Sequence, residues 1–449
     1  MRKLTLILAV IFSVSIFAQL PKESSEHKAE RMKWWTDARF GMFIHWGLYS
    51  MPARHEWVRN YEKIKDEDYQ KYFDMYNPDL FQPTEWARMA KEAGMKYFVI
   101  TAKHHEGFCN WDSQYTDFKI TNTPFKRDAL KELIEAMRAE GIKVGLYYSL
   151  IDWHHPDFTL DPIHPLYSYY KKEARDSINA TKDMSKYRKY MKNQITELLT
   201  NYGEISVLWL DFSYAQKGNK EWGSIDLLKT VRKLQPNILV NDRLDLKDIE
   251  GGWDFTTPEQ YVPAKWLEIN GERVPWESCQ TFSGSWGYHR DEDTWKSPNQ
   301  LISMLIENVS KGGNLMLNVG PTSRGCFDYR AQERLKAMGE WMKFNGRSIY
   351  GCTQAPDEFK CPANCMYTYN AETNRLYLHI LNYPLCEIIL EGMSGKVKYA
   401  QFLHDGSEIR FRGKAKYGHR EKSIKDDLQL SLPTLKPNVE IPVIELYLK

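Results

Sequence analysis

The sequence predicts an α/β protein in which a (β/α)8-like barrel is followed by a C-terminal all-β sandwich domain. From about residue 30 to 345, helix-period segments alternate with short apolar runs, as expected for βα units around a parallel sheet. A glycine that ends a helix recurs just before an apolar strand, in KEAGMKYFVIT, RAEGIKVGLYYS and SKGGNLMLNVG. Beyond residue 349 the pattern changes to short alternating strands between turn residues.

Three helices of the first region are predicted from apolar residues spaced at i, i+3, i+4 and i+7. Their apolar faces are Trp86, Met89, Ala90 and Ala93; Leu130, Leu133, Ile134 and Met137; and Ile195, Leu198, Leu199 and Tyr202. Each face is expected to be buried against the sheet.

Eight segments qualify as barrel strands, and eight is the number that closes such a barrel. They span residues 41–45, 97–101, 144–149, 207–211, 238–241, 253–255, 275–277 and 315–319. The C-terminal strands are predicted in CMYTYN, NRLYLHILNY, VKYAQFLH and IPVIELYLK. We therefore expect the barrel at residues 19–348 and the sandwich at residues 349–449.

The N-terminus has the pattern of a secretory signal peptide over residues 1–18. Arg2 and Lys3 precede an apolar run of about a dozen residues that ends at the small residue Ala18. This run is too short for a membrane span, and no later run is long enough. The sequence thus predicts export to a periplasmic or secreted location, with no membrane anchor.

Charge and composition narrow the class of ligand. Lys and Arg total 61 and Asp and Glu total 59, so no basic surface for nucleic acid is expected. The 15 Trp, 27 Tyr and 19 Phe exceed what a core needs, and aromatic faces pack on the apolar faces of sugars. The seven cysteines are too scattered for a disulfide framework, although Cys361 and Cys365 are close enough either to pair or to remain free.

Active-site residues of a (β/α)8 barrel lie at the carboxyl ends of its strands. Polar and aromatic residues predicted there are His45, Glu56, Trp57, Lys103, His104, His105, Tyr147, Tyr148, Asp152, Asp211, Asp242, Arg243, Glu259, Glu277 and Trp286. Asp211 stands out because it ends the apolar run VLWLDF, and an acid there is costly to bury unless it is paired or used. It is either the partner of Arg243, a helix cap, or a catalytic nucleophile.

Glycoside hydrolysis needs two carboxyl groups on one sugar, and a separation of roughly 5–5.5 Å gives net retention. Glu259 is the preferred partner of Asp211. By residue type alone, Glu56, Glu277 and Glu292 also qualify, and any of these glutamates can instead be a solvated surface residue.

The histidine pair His104 and His105 suggests either a metal site or hydrogen bonding to sugar hydroxyls. Adjacent residues at the end of an extended strand are expected to point to opposite sides, which disfavours joint chelation. No HExxH motif or closed Cys/His set accompanies them. Neutral imidazoles for a polyhydroxylated ligand are therefore predicted, with Trp57 and Trp209 either as pocket walls or as core residues.

Many ordered segments of residues 30–350 resemble the α-L-fucosidases of glycoside hydrolase family 29. They are WWTDARFGMFIHWGLYS, HEW, FVITAKHHEGFCNWDS, LYYSLIDWHHPD, VLWLDF, VNDR, PWESC, SWGY and SKGGNLMLNVGP. The resemblance implies a (β/α)8-like catalytic barrel with a C-terminal sandwich and no metal or cofactor. It also implies exo-acting, retaining release of terminal α-L-fucose from fucosylated glycans.

Matching segments also imply residue roles. Asp211 resembles the family's nucleophile, and TTPEQY resembles the segment that supplies the acid/base, which favours Glu259 with Glu277 in reserve. The implied fucose-binding residues are His45, Glu56, Trp57, His104, His105, Tyr147, Trp209, Arg243 and Trp286. Either Tyr147 or Tyr148 can face the pocket, depending on a strand bulge.

Overall fold

The computed structural model describes residue 20 and residues 23–212, 218–415 and 424–449. The predicted signal peptide at residues 1–18 lies outside these described residues. In the part of the chain that is described, no helix combines the length and apolar character needed to cross a membrane.

The described residues of the first region form nine strands. They are β1 (Phe40–Ile44), β2 (Tyr97–Lys103), β3 (Lys143–Ser149), β4 (Val207–Asp211), β5 (Leu239–Val240), β6 (Glu268–Ile269), β7 (Glu272–Arg273), β8 (Glu277–Thr281) and β9 (Asn314–Val319). Seven of them form one parallel sheet in the order β5-β4-β3-β2-β1-β9-β8, while β6 and β7 form a separate hairpin. These seven strands coincide with or overlap seven of the eight predicted barrel segments.

The remaining predicted segment, residues 253–255, leads into a stretch that bridges the two edges of this sheet. Phe255 forms a parallel bridge to Asn241, directly after β5, and Thr256 forms one to Trp276, directly before β8. Glu259 bridges to Cys279 in β8. The curled sheet thus has an irregular segment in the place of the one predicted barrel strand that is missing. The predicted fold class is confirmed.

Among the residues that the structure describes, eleven α-helices accompany this sheet. They are α1 (Ser25–Ala38), α2 (Val58–Tyr61), α3 (Asp66–Met75), α4 (Pro83–Glu92), α5 (Ala129–Ala139), α6 (Lys172–Asn179), α7 (Met184–Asn201), α8 (Gly218–Trp222), α9 (Ser224–Leu234), α10 (Pro298–Ser310) and α11 (Tyr329–Asn345). The sequence starts several of them with a capping side chain, as Asp128 does for α5 and Ser297 for α10. All four predicted apolar residues of α5 are buried, so its face packs as expected.

The interior of the barrel is filled by side chains that alternate with outward-facing ones along the strands. Phe43, Tyr147, Trp209 and Met316 belong to one buried inner cluster. Trp35 of α1 joins this cluster and closes the amino-terminal end of the barrel. Apolar and aromatic side chains therefore make up most of this end of the interior.

The C-terminal region consists of two antiparallel sheets that pack face to face. Its strands are β10 (Cys365–Asn370), β11 (Arg375–Ile380), β12 (Glu387–Leu390), β13 (Val397–Phe402), β14 (Phe411–Ala415), β15 (Ile424–Ser431) and β16 (Val443–Leu448). One sheet has the order β10-β11-β16-β13 and the other β12-β15-β14, with a shared apolar core. Cys361 and Cys365 are free thiols. The predicted boundary at residue 349 falls in the connection between α11 and β10.

Candidate active site

The candidate site lies at the carboxyl end of the parallel sheet, where loops from separate strands converge. Asp211 ends β4, Arg243 follows β5, and Glu259 lies in the bridging segment. Tyr147 lies in β3, which pairs with β4 in the sheet. These residues are distant in sequence, and the sheet order brings them together.

Asp211 is the central carboxylate of the site. Its side chain is only 11% exposed. Oδ1 accepts a hydrogen bond from Arg243 Nη1 at 2.7 Å, and Oδ2 accepts one from the Tyr147 hydroxyl at 2.8 Å. Burial raises the pKa of this carboxyl group, but Arg243, His105 and Tyr147 together outweigh burial and hold the pKa below its usual value. Asp211 is therefore an ionised, oriented carboxylate at neutral pH.

Arg243 connects the two candidate catalytic carboxyl groups. Nη1 binds Asp211, while Nη2 donates to Glu259 Oε2 at 2.7 Å. Nε donates to Thr257 Oγ1 at 2.9 Å, and the guanidinium group stacks over the Trp209 ring at 4.5 Å. Since both terminal nitrogens belong to one planar group, Asp211 Oδ1 and Glu259 Oε2 lie within roughly 8 Å of each other.

Glu259 differs from Asp211 in its access to solvent. Its side chain is 43% exposed. It lies with Asp211 and Arg243 in an open cleft of about 670 Å³, whose outer part is lined by Asp245, Tyr261 and neighbouring polar residues. Glu259 can therefore exchange protons with water, whereas Asp211 is shielded.

Glu277 lies at the amino-terminal end of its strand, whereas the sequence predicted it near the carboxyl end. Strand β8 begins at this residue. The carboxylate is fully buried, where it accepts hydrogen bonds from Trp35 Nε1 at 3.2 Å and from the Tyr97 hydroxyl. Burial raises its pKa to about 7, although Tyr97, Trp35 and Trp209 oppose the rise. Its hydrogen-bond partners lie toward the amino-terminal end of the barrel.

Tyr147 and Tyr148 point in opposite directions from β3. The Tyr147 hydroxyl contacts Asp211 inside the barrel. The Tyr148 hydroxyl instead donates to Gln194 of α7 at 2.7 Å, between the sheet and the helices. The register of the β2–β3 pairing shifts between Thr101 and Lys103 of β2. Along β3, the side chains alternate regularly between the two faces of the sheet. Of the two tyrosines, only Tyr147 contacts Asp211.

His45 is held as a neutral imidazole at the end of β1. Asn318 Nδ2 donates to the carbonyl oxygen of Trp286 at 2.6 Å, which leaves Asn318 Oδ1 to accept from His45 Nδ1–H at 2.7 Å. Burial lowers the pKa of His45 to about 3, despite its bond to Asn318. With Nδ1 protonated, Nε2 is a hydrogen-bond acceptor. The Trp286 ring lies 5.2 Å from the His45 ring.

His104 and His105 lie side by side, and the prediction that they point to opposite sides is wrong. Their ring centroids are 4.0 Å apart, because β2 ends at Lys103 and the chain turns at Gly107, whose N–H donates to the His104 carbonyl. His105 Nδ1 donates to Ser149 Oγ at 2.7 Å, and its Nε2 is 3.9 Å from Asp211 Oδ2. Burial lowers the pKa of His105 to about 4 and also lowers the pKa of His104 well below its usual value.

Glu56 and Trp57 form another wall of the site. Glu56 Oε2 accepts from the backbone N–H groups of Trp286 at 3.1 Å and Gly287 at 2.9 Å. Oε1 is buried and makes no hydrogen bond within the described structure, although His55 Nδ1 lies 3.2 Å away. Burial raises the pKa of Glu56 to about 7, against the backbone donors. The Trp57 ring packs on the ring of His105 at 5.0 Å.

Backbone conformations that non-glycine residues rarely adopt occur directly beside three of these carboxylates. His55 before Glu56 has φ 93°, Phe212 after Asp211 has φ 70°, and Gln260 after Glu259 has φ 61°. Such conformations cost free energy and tend to cluster at functional sites. They turn the chain sharply where each carboxylate enters the site.

Three supporting residues were not singled out from the sequence. Asn318 and Ser149 orient His45 and His105, and Thr257 holds Arg243. For Ser149 and Asn318, a position near the end of a strand was the available signal, whereas Thr257 lies in the segment that bridges the sheet edges. Among the described residues, no group of three or more His, Cys, Asp or Glu side chains is arranged to hold a metal ion.

Enzymes that cleave glycosidic bonds need two carboxyl groups at one pyranose and a pocket that binds neutral hydroxyl groups. The barrel brings two carboxyl groups to one arginine, beside neutral imidazoles and indole rings. This combination places the protein among the glycoside hydrolases.

Comparison with known proteins identifies the family within that class. The family model described as alpha-L-fucosidase matches residues 15–347. Human plasma alpha-L-fucosidase is 32% identical over 378 residues, covering 78% of this chain and 76% of the human protein. The chain belongs to the α-L-fucosidases, glycoside hydrolase family 29.

Solved structures agree over nearly the whole length. Alpha-L-fucosidase isoenzyme 1 from Paenibacillus thiaminolyticus is 43% identical, with a TM-score of 0.88, covering 94% of this chain and 99% of that protein. A family 29 enzyme from Bacteroides thetaiotaomicron is 30% identical, with a TM-score of 0.79 and coverage of 94% and 96%. That structure is a covalent intermediate trapped with 2-fluoro-fucosyl fluoride in a glutamate-to-glutamine mutant.

Proposed function

We propose that this protein is an exo-acting, retaining hydrolase that releases terminal α-L-fucose from fucosylated oligosaccharides or glycoconjugates by double displacement. The observation that carries the proposal is the Arg243 guanidinium group, which binds Asp211 and Glu259 at once. One carboxylate is buried and ionised and the other is open to solvent, which suits a nucleophile and an acid/base respectively.

In the first step, a carboxylate oxygen of Asp211 attacks the anomeric carbon of fucose. The bond from that carbon to the leaving oxygen breaks, and Glu259 transfers its proton to this oxygen. Arg243 and the Tyr147 hydroxyl keep Asp211 charged and aimed until the bond forms. The leaving saccharide departs through the cleft beside Glu259.

In the second step, the Glu259 carboxylate accepts a proton from water as the water oxygen attacks the same carbon. The bond to Asp211 breaks, fucose leaves, and Glu259 is protonated again. Two displacements at one carbon give net retention. Both steps use side chains and water alone.

The sugar hydroxyl groups are bound by His45, His104 and His105 and by Glu56. Low pKa values keep the imidazoles neutral. Because Nδ1–H of His45 and of His105 is already bound within the protein, each of these two rings offers its Nε2 to the ligand as an acceptor. The buried and unpaired Oε1 of Glu56 adds a further polar atom. Trp57, Trp209 and Trp286 supply the apolar walls.

The trapped intermediate of the Bacteroides enzyme supports this mechanism, because a covalent intermediate belongs to the retaining route. Only an enzyme that forms a bond between the protein and the sugar can be caught in that state. The similarity of the two proteins over 94% of this chain makes the same route the natural proposal.

The proposal predicts that α-L-fucose is the first product released from 4-nitrophenyl α-L-fucoside. Time-resolved proton NMR distinguishes the anomers before mutarotation equilibrates them. Initial β-L-fucose would indicate a single displacement and contradict the double-displacement route. Fucose binding without release of 4-nitrophenol would instead indicate a carbohydrate-binding protein without hydrolytic activity.

We further propose that the protein is exported, with residues 1–18 removed as a signal peptide. The basic start, the apolar run and Ala18 support this. Sequencing the N-terminus of the protein from a periplasmic or culture-medium fraction should give a chain that begins near Gln19. Full-length protein in the cytoplasm alone would contradict export.

A further inference from the structure

Lys103 and Asp152 form a buried ion pair directly behind the two histidines. Lys103 is the last residue of β2, and Asp152 lies in the loop after β3. Nζ is 2.8 Å from Asp152 Oδ2, and the two side chains are 0% and 1% exposed. Burial raises the pKa of Asp152, but Lys103, together with smaller contributions from His155 and His154, outweighs burial and holds the pKa of this carboxyl group below its usual value. Neither residue faces the fucose pocket in the mechanism above.

Tyrosine rings enclose the ammonium group on the helix side of the sheet. Nζ lies 4.5 Å from the ring centroid of Tyr148, 5.5 Å from that of Tyr190 and 5.6 Å from that of Tyr187. The Tyr187 hydroxyl is 3.5 Å from Nζ. Tyr187 and Tyr190 belong to α7. The charge is therefore fixed between the sheet and this helix.

Asp152 also organises the loop that contacts His105. Oδ1 accepts hydrogen bonds from the backbone N–H groups of His154 at 3.0 Å and His155 at 2.9 Å. The N–H of Trp153 donates to the carbonyl oxygen of His105 at 2.8 Å. At Gly107, φ is +85° and a Cβ atom would collide with Asp152 Oδ1. The turn that carries the histidines is thus packed directly against Asp152.

Stability alone does not account for such a pair. Removing two charges from water costs several kcal/mol per ion, and apolar replacements of a buried pair are often neutral or stabilising. The pair does, however, fix the end of β2 relative to the loop after β3. His105 sits between them, covalently linked to Lys103 through His104 and hydrogen-bonded to the Asp152 loop.

We propose that Lys103 and Asp152 are positioning residues that hold His105 at its distance from Asp211. The pair clamps the end of β2 to the loop after β3, so that Nε2 of His105 stays 3.9 Å from Asp211 Oδ2. Displacement of a binding group by about 1 Å can cost up to about 100-fold in rate. This inference rests on the proposed function, since its readout is the release of fucose.

The test is the double variant K103M/D152N, which removes both charges but leaves an amide oxygen at position 152 that can still accept from the backbone N–H groups. We expect its Tm to stay close to that of the wild type and above that of K103M, which leaves Asp152 buried and unpaired. We expect kcat/KM for 4-nitrophenyl α-L-fucoside to fall about 10-fold to 100-fold at equal concentration of folded protein. A purely structural pair would leave kcat and KM of the folded enzyme unchanged.

Arg31→Met provides the matched control. Arg31 forms a buried ion pair with Asp254 at 2.6 Å, with side chains 3% and 2% exposed, and it contacts none of the histidines in the site. We expect this variant to lose stability without losing kcat. If K103M/D152N retains kcat/KM within about twofold of wild type, the positioning role is overturned. An inactive wild type would instead overturn the proposed function.

A single-residue variant covers the case in which the double variant does not fold. Asp152→Asn keeps the shape of the side chain, but its single amide oxygen can accept either from the loop N–H groups or from Lys103, so one of these two contacts is lost. The positioning role predicts a fall in kcat/KM of about 10-fold with an unchanged circular dichroism spectrum. Wild-type values of both kcat and KM in this variant would contradict it.

Discussion

Asp211→Gly is expected to lower kcat for 4-nitrophenyl α-L-fucoside by at least about 10⁴-fold while the protein remains folded. Without the carboxylate, no covalent intermediate forms, and Arg243 keeps Glu259 as a partner. Added azide should enter the vacated space and attack the anomeric carbon once. The product is then β-L-fucosyl azide, since one displacement inverts the configuration. NMR of the azide product and circular dichroism of the variant are the measurements.

The two adjacent tyrosines offer a matched control for this prediction. Tyr147→Phe removes the hydrogen bond to Asp211 and should lower kcat, whereas Tyr148→Phe removes a bond to Gln194 on the far side of the sheet. The second variant should lose about 1 kcal/mol of stability with kcat near wild type. Full activity of Asp211→Gly, or α-L-fucosyl azide as its product, would exclude Asp211 as the nucleophile.

Glu259→Ala is expected to show an effect that depends on the leaving group. For a fucosylated oligosaccharide, whose alcohol leaves poorly without a proton, kcat/KM should fall about 10²–10⁴-fold. For 2,4-dinitrophenyl α-L-fucoside, the first step needs little protonation and kcat/KM should fall by about tenfold or less. Azide should intercept the covalent intermediate and give α-L-fucosyl azide, because two displacements retain the configuration.

Glu277→Gln is the control for the acid/base. Its side chain is fully buried among Trp35 and Tyr97, so the change should affect stability rather than the dependence on the leaving group. Glu277 would be the acid/base if two results were obtained together. Glu259→Ala would lower kcat/KM equally for both substrates, and azide would rescue the activity of Glu277→Gln.

The fold was largely predictable because hydrophobic periodicity reports local burial. The apolar residues of α5 and the buried runs of β2 and β4 follow directly from their spacing. The segment at residues 253–255 and the stretch that follows it were harder to predict, because their few pairings with the two neighbouring parts of the sheet are single bridges. Their regularity depends on the width of the gap between β5 and β8, which no local pattern encodes.

Within the site, the sequence indicated residue types and strand ends but not orientation. Glu277 was expected near the end of its strand and is found at the start of β8. His104 and His105 were expected on opposite sides of a strand and lie on one turn. In both cases an error of a few residues in a strand boundary changes where a side chain points, since successive side chains of a strand point to opposite faces of the sheet.

The order of apolar and polar segments by itself determined that this chain forms a parallel barrel with a β-sandwich, and the ordered motifs determined its family. The tertiary structure decided which carboxylates meet. Asp211, Arg243 and Glu259 come from three different parts of the sheet, and Tyr147 rather than Tyr148 joins them. Contacts of this kind depend on strand register and on packing between distant segments, which arise only when the whole sheet closes.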